Sequence, residues 1–174
     1  MPRNIEIKAR IESVEALLPL VSSISERGPF EIVQDDTFFT SPSGRLKLRV
    51  FSPHEGELIF YQRPDQGGPK ESRYSISKTT APATLRELLS QALGEVGGVE
   101  KHRTLFLIGR TRIHLDRVKG LGDFLELEVV LGEHEAPQAG IDEAQKLMAK
   151  LGVKPSQLVH GAYLDLMPSE DSER

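Results

Sequence analysis

Asn4-Ile5-Glu6-Ile7-Lys8-Ala9-Arg10-Ile11 alternates apolar with polar and charged side chains almost from the start of the chain. In a β-strand, successive side chains point to opposite faces. Ile5, Ile7, Ala9 and Ile11 therefore share one face, and Glu6, Lys8 and Arg10 share the other. The same reading sets Arg45, Lys47 and Arg49 on one face of Arg45–Val50, and Lys101 beside Arg103. It groups Arg110, Arg112, His114 and Asp116, and in Phe124–Leu131 it aligns Glu126 with Glu128 against Leu125, Leu127 and Val129. Antiparallel strands commonly bury one face and wet the other, so alternating charge by itself describes a solvated surface. A solvated face mixes Ser, Thr, Gln, Lys and Glu. These positions are instead dominated by Arg and Lys, with the acids segregated to the first and last strands. Like charges on neighbouring strands repel unless a ligand or counter-charge lies between them. Cations and carboxylates converging on one side of a sheet suit a polyphosphate carried with a divalent metal.

Composition bounds the rest. A chain of 174 residues fits one domain, expected over 1–168, with 169–174 as a flexible polar tail. With 38% apolar and 28% charged residues it can bury a sizeable core. It contains no Cys, which excludes disulfides and thiolate metal sites. No apolar run approaches the roughly 20 residues a membrane helix needs, and the charged N-terminus does not read as a signal peptide. No membrane association and a cytoplasmic location are the resulting expectations. A formal net charge of −4 speaks against general nucleic-acid binding, which prefers a basic surface. Cations concentrated in the strands of an acidic protein point instead to an enclosed anion site.

The pattern predicts about eight strands, mostly antiparallel, interrupted by helices. Ser13 can cap a helix through Val14, Leu17, Leu18 and Val21, limited by Pro19. Thr37–Thr40 reads as a short β-like piece, followed by a hairpin of Arg45–Phe51 and Glu57–Arg63 and a strand from Glu71 to Lys78. Pro82 opens a helix to Leu93 with a leucine stripe. Strands at Glu100–Ile108 and Arg110–Arg117 precede the last long one. A helix over Ile141–Leu151 ends at Gly152, and Pro155–Leu166 reads as a further short helix and tail. Such a set can close into an α+β fold, an eight-stranded antiparallel β-barrel with helices packed outside. If the charged faces point inward, the apolar faces point outward, and the helices at Pro82–Leu93 and Ile141–Leu151 are expected to cover them. Clustered buried charge is costly without a ligand, so this inversion implies one.

The sequence resembles the CYTH superfamily, the triphosphate tunnel proteins that include class IV adenylate cyclases and thiamine and inorganic triphosphatases. The signature Glu-x-Glu-x-Lys is matched by Asn4-Ile5-Glu6-Ile7-Lys8. Gln34-Asp35-Asp36-Thr37-Phe38-Phe39, Leu46-Lys47-Leu48-Arg49 and Lys101-x-Arg103 match further pieces. So do Leu115-Asp116 through Gly122-Asp123-Phe124-Leu125-Glu126-Leu127-Glu128 and the closing Tyr163-Leu164-Asp165-Leu166. Each piece is weak alone, whereas their order and spacing together are specific and span nearly the whole chain.

The resemblance implies a tunnel that binds a triphosphate with Mg²⁺ or Mn²⁺. Glu126 and Glu128, joined by Glu6, would hold the metal, since carboxylates suit these ions. Lys8 would orient phosphate or activate the attacking group. Lys47, Arg49, Arg63, Lys101, Arg103, Arg110 and Arg112 would grip phosphate oxygens. The implied partner is ATP, thiamine triphosphate or tripolyphosphate, and the chain a monomer or homodimer. Three departures stand out. Asn4 replaces a usual Glu. Tyr61-Gln62-Arg63-Pro64 puts Arg63 near an expected lysine. Lys70-Glu71-Ser72-Arg73-Tyr74-Ser75 is poor in acids for a middle strand. Three activities stay open: a metal-dependent triphosphatase, a class IV adenylate cyclase making cyclic AMP and pyrophosphate, and a non-catalytic polyphosphate-binding module. Of the histidines, His114 alone falls on the proposed face, where a plain polar or supporting role is expected.

Overall fold

The computed structural model describes residues 1–64 and 68–167. The tail expected at 169–174 lies outside the described residues. Eight strands carry the fold: β1 (Arg3–Arg10), β2 (Arg27–Phe39), β3 (Arg45–Ser52), β4 (Glu55–Gln62), β5 (Lys70–Thr79), β6 (Glu95–Ile108), β7 (Thr111–Val118) and β8 (Gly122–Val130). Helix α1 (Val14–Ile24) follows β1, α2 (Pro82–Leu93) follows β5, and α3 (Pro137–Lys150) and the one-turn α4 (Tyr163–Leu166) follow β8. The strands close in the order β1-β5-β4-β3-β2-β6-β7-β8, every pairing antiparallel. The eight-stranded antiparallel barrel expected from the alternation is present.

Register fixes which side chains face inward. Lys8 stands opposite Glu126, and Glu6 opposite Glu128. Arg112 and His114 of β7 stand opposite the same two glutamates on their other side. The partners of these charged positions, displaced by one residue, form a wholly apolar outer core. Ile5, Ile7, Ala9, Ile113, Leu115, Leu125, Leu127 and Val129 are all buried there against α1 and α3. Ser13 caps α1, its hydroxyl accepting from the Ala16 amide at 3.1 Å.

The structure redistributes the helical cover. Helix α2 has the expected bounds but buries Pro82 alone, and Leu88 is 60% exposed. It lies across β2, β3 and β4 as a loose outer layer. The outer core is sealed instead by α1, through Val14 and Val21, and by α3, through Ala144, Leu147 and Met148. Helix α3 begins at Pro137, four residues before the expected start. Gly140 in its first turns explains the close fit: a Cβ there would come within 2.7 Å of Ile5 and 2.8 Å of Leu131. Strand β2 is also far longer than the expected Thr37–Thr40 piece. Its inward residues Phe30, Ile32, Gln34, Asp36 and Phe38 mix apolar and polar types, which hides the two-residue period. Pairing with β6 along its length supplies the order that the pattern lacks.

Candidate functional site

The barrel encloses a cavity of about 420 Å³, lined by inward side chains of all eight strands and by Ala162 and Tyr163. Its charges form two poles. At the first, three cations share one acid. Asp36 is 1% exposed. Arg49 donates to both of its carboxylate oxygens at 2.9 Å, while Lys101 and Lys47 approach Oδ2 at 3.7 and 3.8 Å. Burial alone would raise the Asp36 carboxyl, but Arg49, Lys47 and Lys101 together hold it far below the usual carboxylate range. Burial lowers the Lys101 ammonium to about 8, aided by Arg103 and Arg49. Burial also pushes Lys47 down, with Arg49 adding to the effect. The three basic groups outnumber the one carboxylate they share. A buried cationic excess of this kind has electrostatic room for a phosphate.

The second pole is acidic. Glu126 and Glu128 project from β8 beside His114, whose nearest ligand atoms and theirs all lie within 4.8 Å of one another. His114 Nδ1 lies 3.0 Å from Glu128 Oε1 and 3.5 Å from Glu126 Oε2. Asn4 donates its amide to Glu128 Oε2 at 2.9 Å, and its own buried Oδ1 has no hydrogen-bond partner among the described residues. An imidazole nitrogen, two carboxylates and this amide oxygen are donors that suit a divalent cation. The residues present fit such an ion. Burial opposes the charge on Glu128, yet His114, Arg112 and Arg103 bring it down to about 2. Glu126 is half-buried and held well below the ordinary range, chiefly by Lys8 and then by Arg103.

Between the poles runs a fixed network. Arg103 donates to both oxygens of Asp116 at 2.8 Å and to Glu126 at 3.0 Å. The Tyr163 hydroxyl donates to Asp116 Oδ2 at 2.8 Å. Lys8 Nζ donates to the Gly161 carbonyl at 3.1 Å, lies 3.5 Å from Glu126 and sits 3.9 Å from the Tyr163 ring centre. Its ammonium is lowered, chiefly by burial.

Ten of the eleven residues singled out in the sequence line this cavity: Glu6, Lys8, Lys47, Arg49, Arg63, Lys101, Arg103, Arg112, Glu126 and Glu128. Arg110 does not. It lies in the turn between β6 and β7, outside the barrel, and its guanidinium binds Glu135 and Glu143. The two-residue period fails there because Thr111, not Arg110, opens β7. Glu6 reaches the cavity but is engaged by Arg63, apart from the Glu126–Glu128–His114 group. Asn4 orients Glu128 rather than leaving a gap. Asp36 and Tyr163 were legible only as pieces of the family pattern, and nothing in the sequence marked them as the acid at the cationic pole and the hydroxyl at Asp116.

A family model described as CYTH domain matches residues 2–163. The adenylate cyclase CyaB of Aeromonas hydrophila is 23% identical over 172 residues, covering 94% of this chain and 87% of that protein. Among solved structures, the PH1012 protein of Pyrococcus horikoshii OT3 superposes with a TM-score of 0.83 at 22% identity, covering 95% of this chain and 99% of that one. HpAC1 of Hippeastrum, a protein with a dominant triphosphatase activity, superposes with a TM-score of 0.63 at 15% identity, covering 97% and 93%.

Proposed function

This chain belongs to the CYTH domain family, and on that premise we propose that it hydrolyses a triphosphate with the help of Mg²⁺ or Mn²⁺. The observation that carries the reading is the pairing of two poles in one buried cavity. Arg49, Lys47 and Lys101 crowd a single carboxylate at one, and Glu126, Glu128 and His114 converge at the other. A triphosphate with a divalent cation has the complementary distribution of charge.

Each residue then has a chemical part. Lys47, Arg49 and Lys101 would bind phosphate oxygens, Arg49 exchanging its fork on Asp36 for one on phosphate. Arg103, held by Asp116 and Glu126, would meet the same chain of phosphates from the far side. Glu126, Glu128 and His114 would hold the cation, whose chemistry is to neutralise phosphoryl charge and polarise water. Lys8, between Glu126 and the Gly161 carbonyl, would orient the attacking water through Nζ. Little covalent work is asked of the protein, since phosphoryl transfer relies on positioning and charge stabilisation.

A second reading, a class IV adenylate cyclase, is favoured by the name of the Aeromonas relative. There the ribose 3′-hydroxyl would attack the α-phosphorus and pyrophosphate would leave. A ³¹P NMR time course with ATP and tripolyphosphate, with Mg²⁺ or Mn²⁺, separates the two. Orthophosphate growing at the expense of either triphosphate is the expected result. Pyrophosphate with a cyclic monophosphate signal would replace hydrolysis by cyclisation, and unchanged spectra in every mixture would leave a binding module.

A further inference from the structure

One mouth of the barrel is filled from within the chain. Leu158 forms an isolated bridge with Ala9 of β1, and the Val159 amide donates to the Lys8 carbonyl at 3.0 Å. Asp165 of α4 is gripped by Arg45 and accepts from the Ala162 amide at 2.9 Å. Leu164 lies so close to Gly97 that a Cβ there would come within 2.5 Å of it. These contacts seat the segment on the barrel, and none of them uses the ring of Tyr163. That buried ring packs T-shaped against Phe124, with 4.9 Å between centroids, and its hydroxyl is anchored on Asp116. Its face is turned to the charged cavity.

Two ammonium groups stand over it. Lys8 Nζ lies 3.9 Å from the ring centre and Lys101 Nζ 4.9 Å. Lys8 belongs to the acidic pole and Lys101 to the cationic one, so a single ring touches a lysine of each. Both lysines are buried, yet neither is locked on its acid. Arg49 forks Asp36 at 2.9 Å and Arg103 forks Asp116 at 2.8 Å. Lys101 instead stops 3.7 Å from Asp36, and Lys8 stops 3.5 Å from Glu126 while donating to the Gly161 carbonyl. An ammonium on a flexible four-carbon stem is drawn onto the nearest carboxylate unless another group competes for it. The negative face of an aromatic ring competes, and holds a cation less tightly than a carboxylate does. Lys47 has the same arrangement, 3.8 Å from Asp36 and 5.1 Å from the centre of the Tyr61 ring. Of the three tyrosines in the chain, two therefore lie beneath cavity lysines.

We propose that Tyr163 is a positioning residue, whose ring face holds Lys8 and Lys101 off Glu126 and Asp36 and at a set separation from each other. Both ammonium groups are thereby kept available to the phosphate chain. Tyr163 itself does not touch the reacting atoms and acts through the two lysines. The proposal rests on the triphosphatase reading and adds to it the group that fixes the water-orienting lysine relative to the phosphate grip. The hydroxyl sets the tilt of the ring through Asp116, which Arg103 holds in turn.

A double-mutant cycle on the full chain tests this, read as phosphate release in Mn²⁺ from tripolyphosphate or ATP, whichever the wild type cleaves faster. Tyr163→Leu removes the ring and should lower kcat at least about tenfold. Tyr163→Phe keeps the ring face and should recover most of that loss. With Lys8→Met already in place, Tyr163→Leu should lower kcat by less than about twofold, because the group it positions is gone. A residue needed only for packing would give the same factor in both backgrounds. Affinity for bis(methylene)triphosphate, by calorimetry, should fall about tenfold in Tyr163→Leu and hardly at all when Lys101→Met is already present. Where Tyr163→Leu fails to fold, Tyr163→Phe is compared with 3,4,5-trifluorophenylalanine at the same position, a ring of nearly the same shape without the negative face. The fluorinated ring should turn over at least about fivefold more slowly. Equal factors in the two backgrounds, or equal rates with the two rings, would overturn the positioning role and leave the triphosphatase reading intact. A wild type that releases no phosphate from either triphosphate would overturn that reading, and the proposal with it.

Discussion

Asp36→Asn should make the empty protein less stable and the liganded protein relatively more so. The side chain keeps its shape and loses its charge, leaving Arg49, Lys47 and Lys101 without their shared counter-ion at 2.9 to 3.8 Å. Removing one partner from a buried ion pair costs about 3–5 kcal/mol, because the remaining charge is stranded. For a chain of 174 residues that corresponds to a fall in Tm of about 6–20 °C. A bound triphosphate would restore the missing negative charge. The carboxylate that competes with phosphate for the same three cations is also gone, so affinity should rise about tenfold, worth about 1.4 kcal/mol. Thermal unfolding with and without saturating tripolyphosphate reads both effects, since ligand stabilisation grows with the ratio of concentration to Kd. The ligand-induced rise in Tm should be larger in Asp36→Asn than in the wild type. An unchanged Tm for the empty variant, or a ligand shift no larger than that of the wild type, would refute the view that Asp36 occupies the place of a phosphate.

Lys8→Met, which preserves the length of the stem, should lower turnover at least about a hundredfold in a phosphate-release assay while far-UV circular dichroism stays native; loss of fold with intact specific activity would remove Lys8 from the chemistry. Glu126→Gln should weaken Mn²⁺ binding at least about tenfold by direct calorimetry, because a charged oxygen ligand becomes a neutral one; an unchanged isotherm would exclude it as a ligand. Lys101, lowered to about 8 in the fold, gives two opposite slopes. Tripolyphosphate affinity should fall as pH rises through 8, by up to about tenfold per unit, and Lys101→Arg should flatten that fall. The unfolded chain holds its proton to the ordinary lysine value, so the empty protein should gain stability over the same rise; affinity constant from pH 7 to 10 would contradict the assignment.

Much of the barrel was legible because its two faces differ so sharply. Ile5, Ile7 and Ala9 against Glu6 and Lys8, or Leu125 and Leu127 against Glu126 and Glu128, fix both strand and register wherever one face is wholly apolar. Strand β2 escaped because its inner face changes character along its length, from Phe30 and Ile32 through Gln34 and Asp36 to Phe38. Helix α2 was found at its correct bounds but misjudged in purpose, since a leucine stripe reports amphipathicity and not what covers it. The charged residues of the cavity were found by parity, and parity failed at Arg110, where a turn interrupts the strand. Which acid balances which cation is a matter of cross-strand distance. Asp36 with Arg49, and Asp116 with Arg103, each join residues thirteen apart on paired strands. No local pattern could single out those two bidentate forks.

An inward-charged barrel also has to stay folded while empty. Its outer face resolves this in part by carrying the apolar core against α1 and α3, so packing does not depend on the cavity. The interior resolves the rest by pairing. Arg103 is locked on Asp116 and Glu126, and Asp116 is in turn fixed by Tyr163. The two forks are therefore not equivalent. The Arg103–Asp116 fork is tied into the segment that fills the closed mouth, and loosening it would disturb Tyr163 and Lys8 together. The Arg49–Asp36 fork is shared with two lysines held at 3.7 and 3.8 Å, beyond hydrogen-bonding length. That looser cluster can turn from carboxylate to phosphate without moving the backbone. The division assigns rigidity to one side of the cavity and exchange of counter-ions to the other.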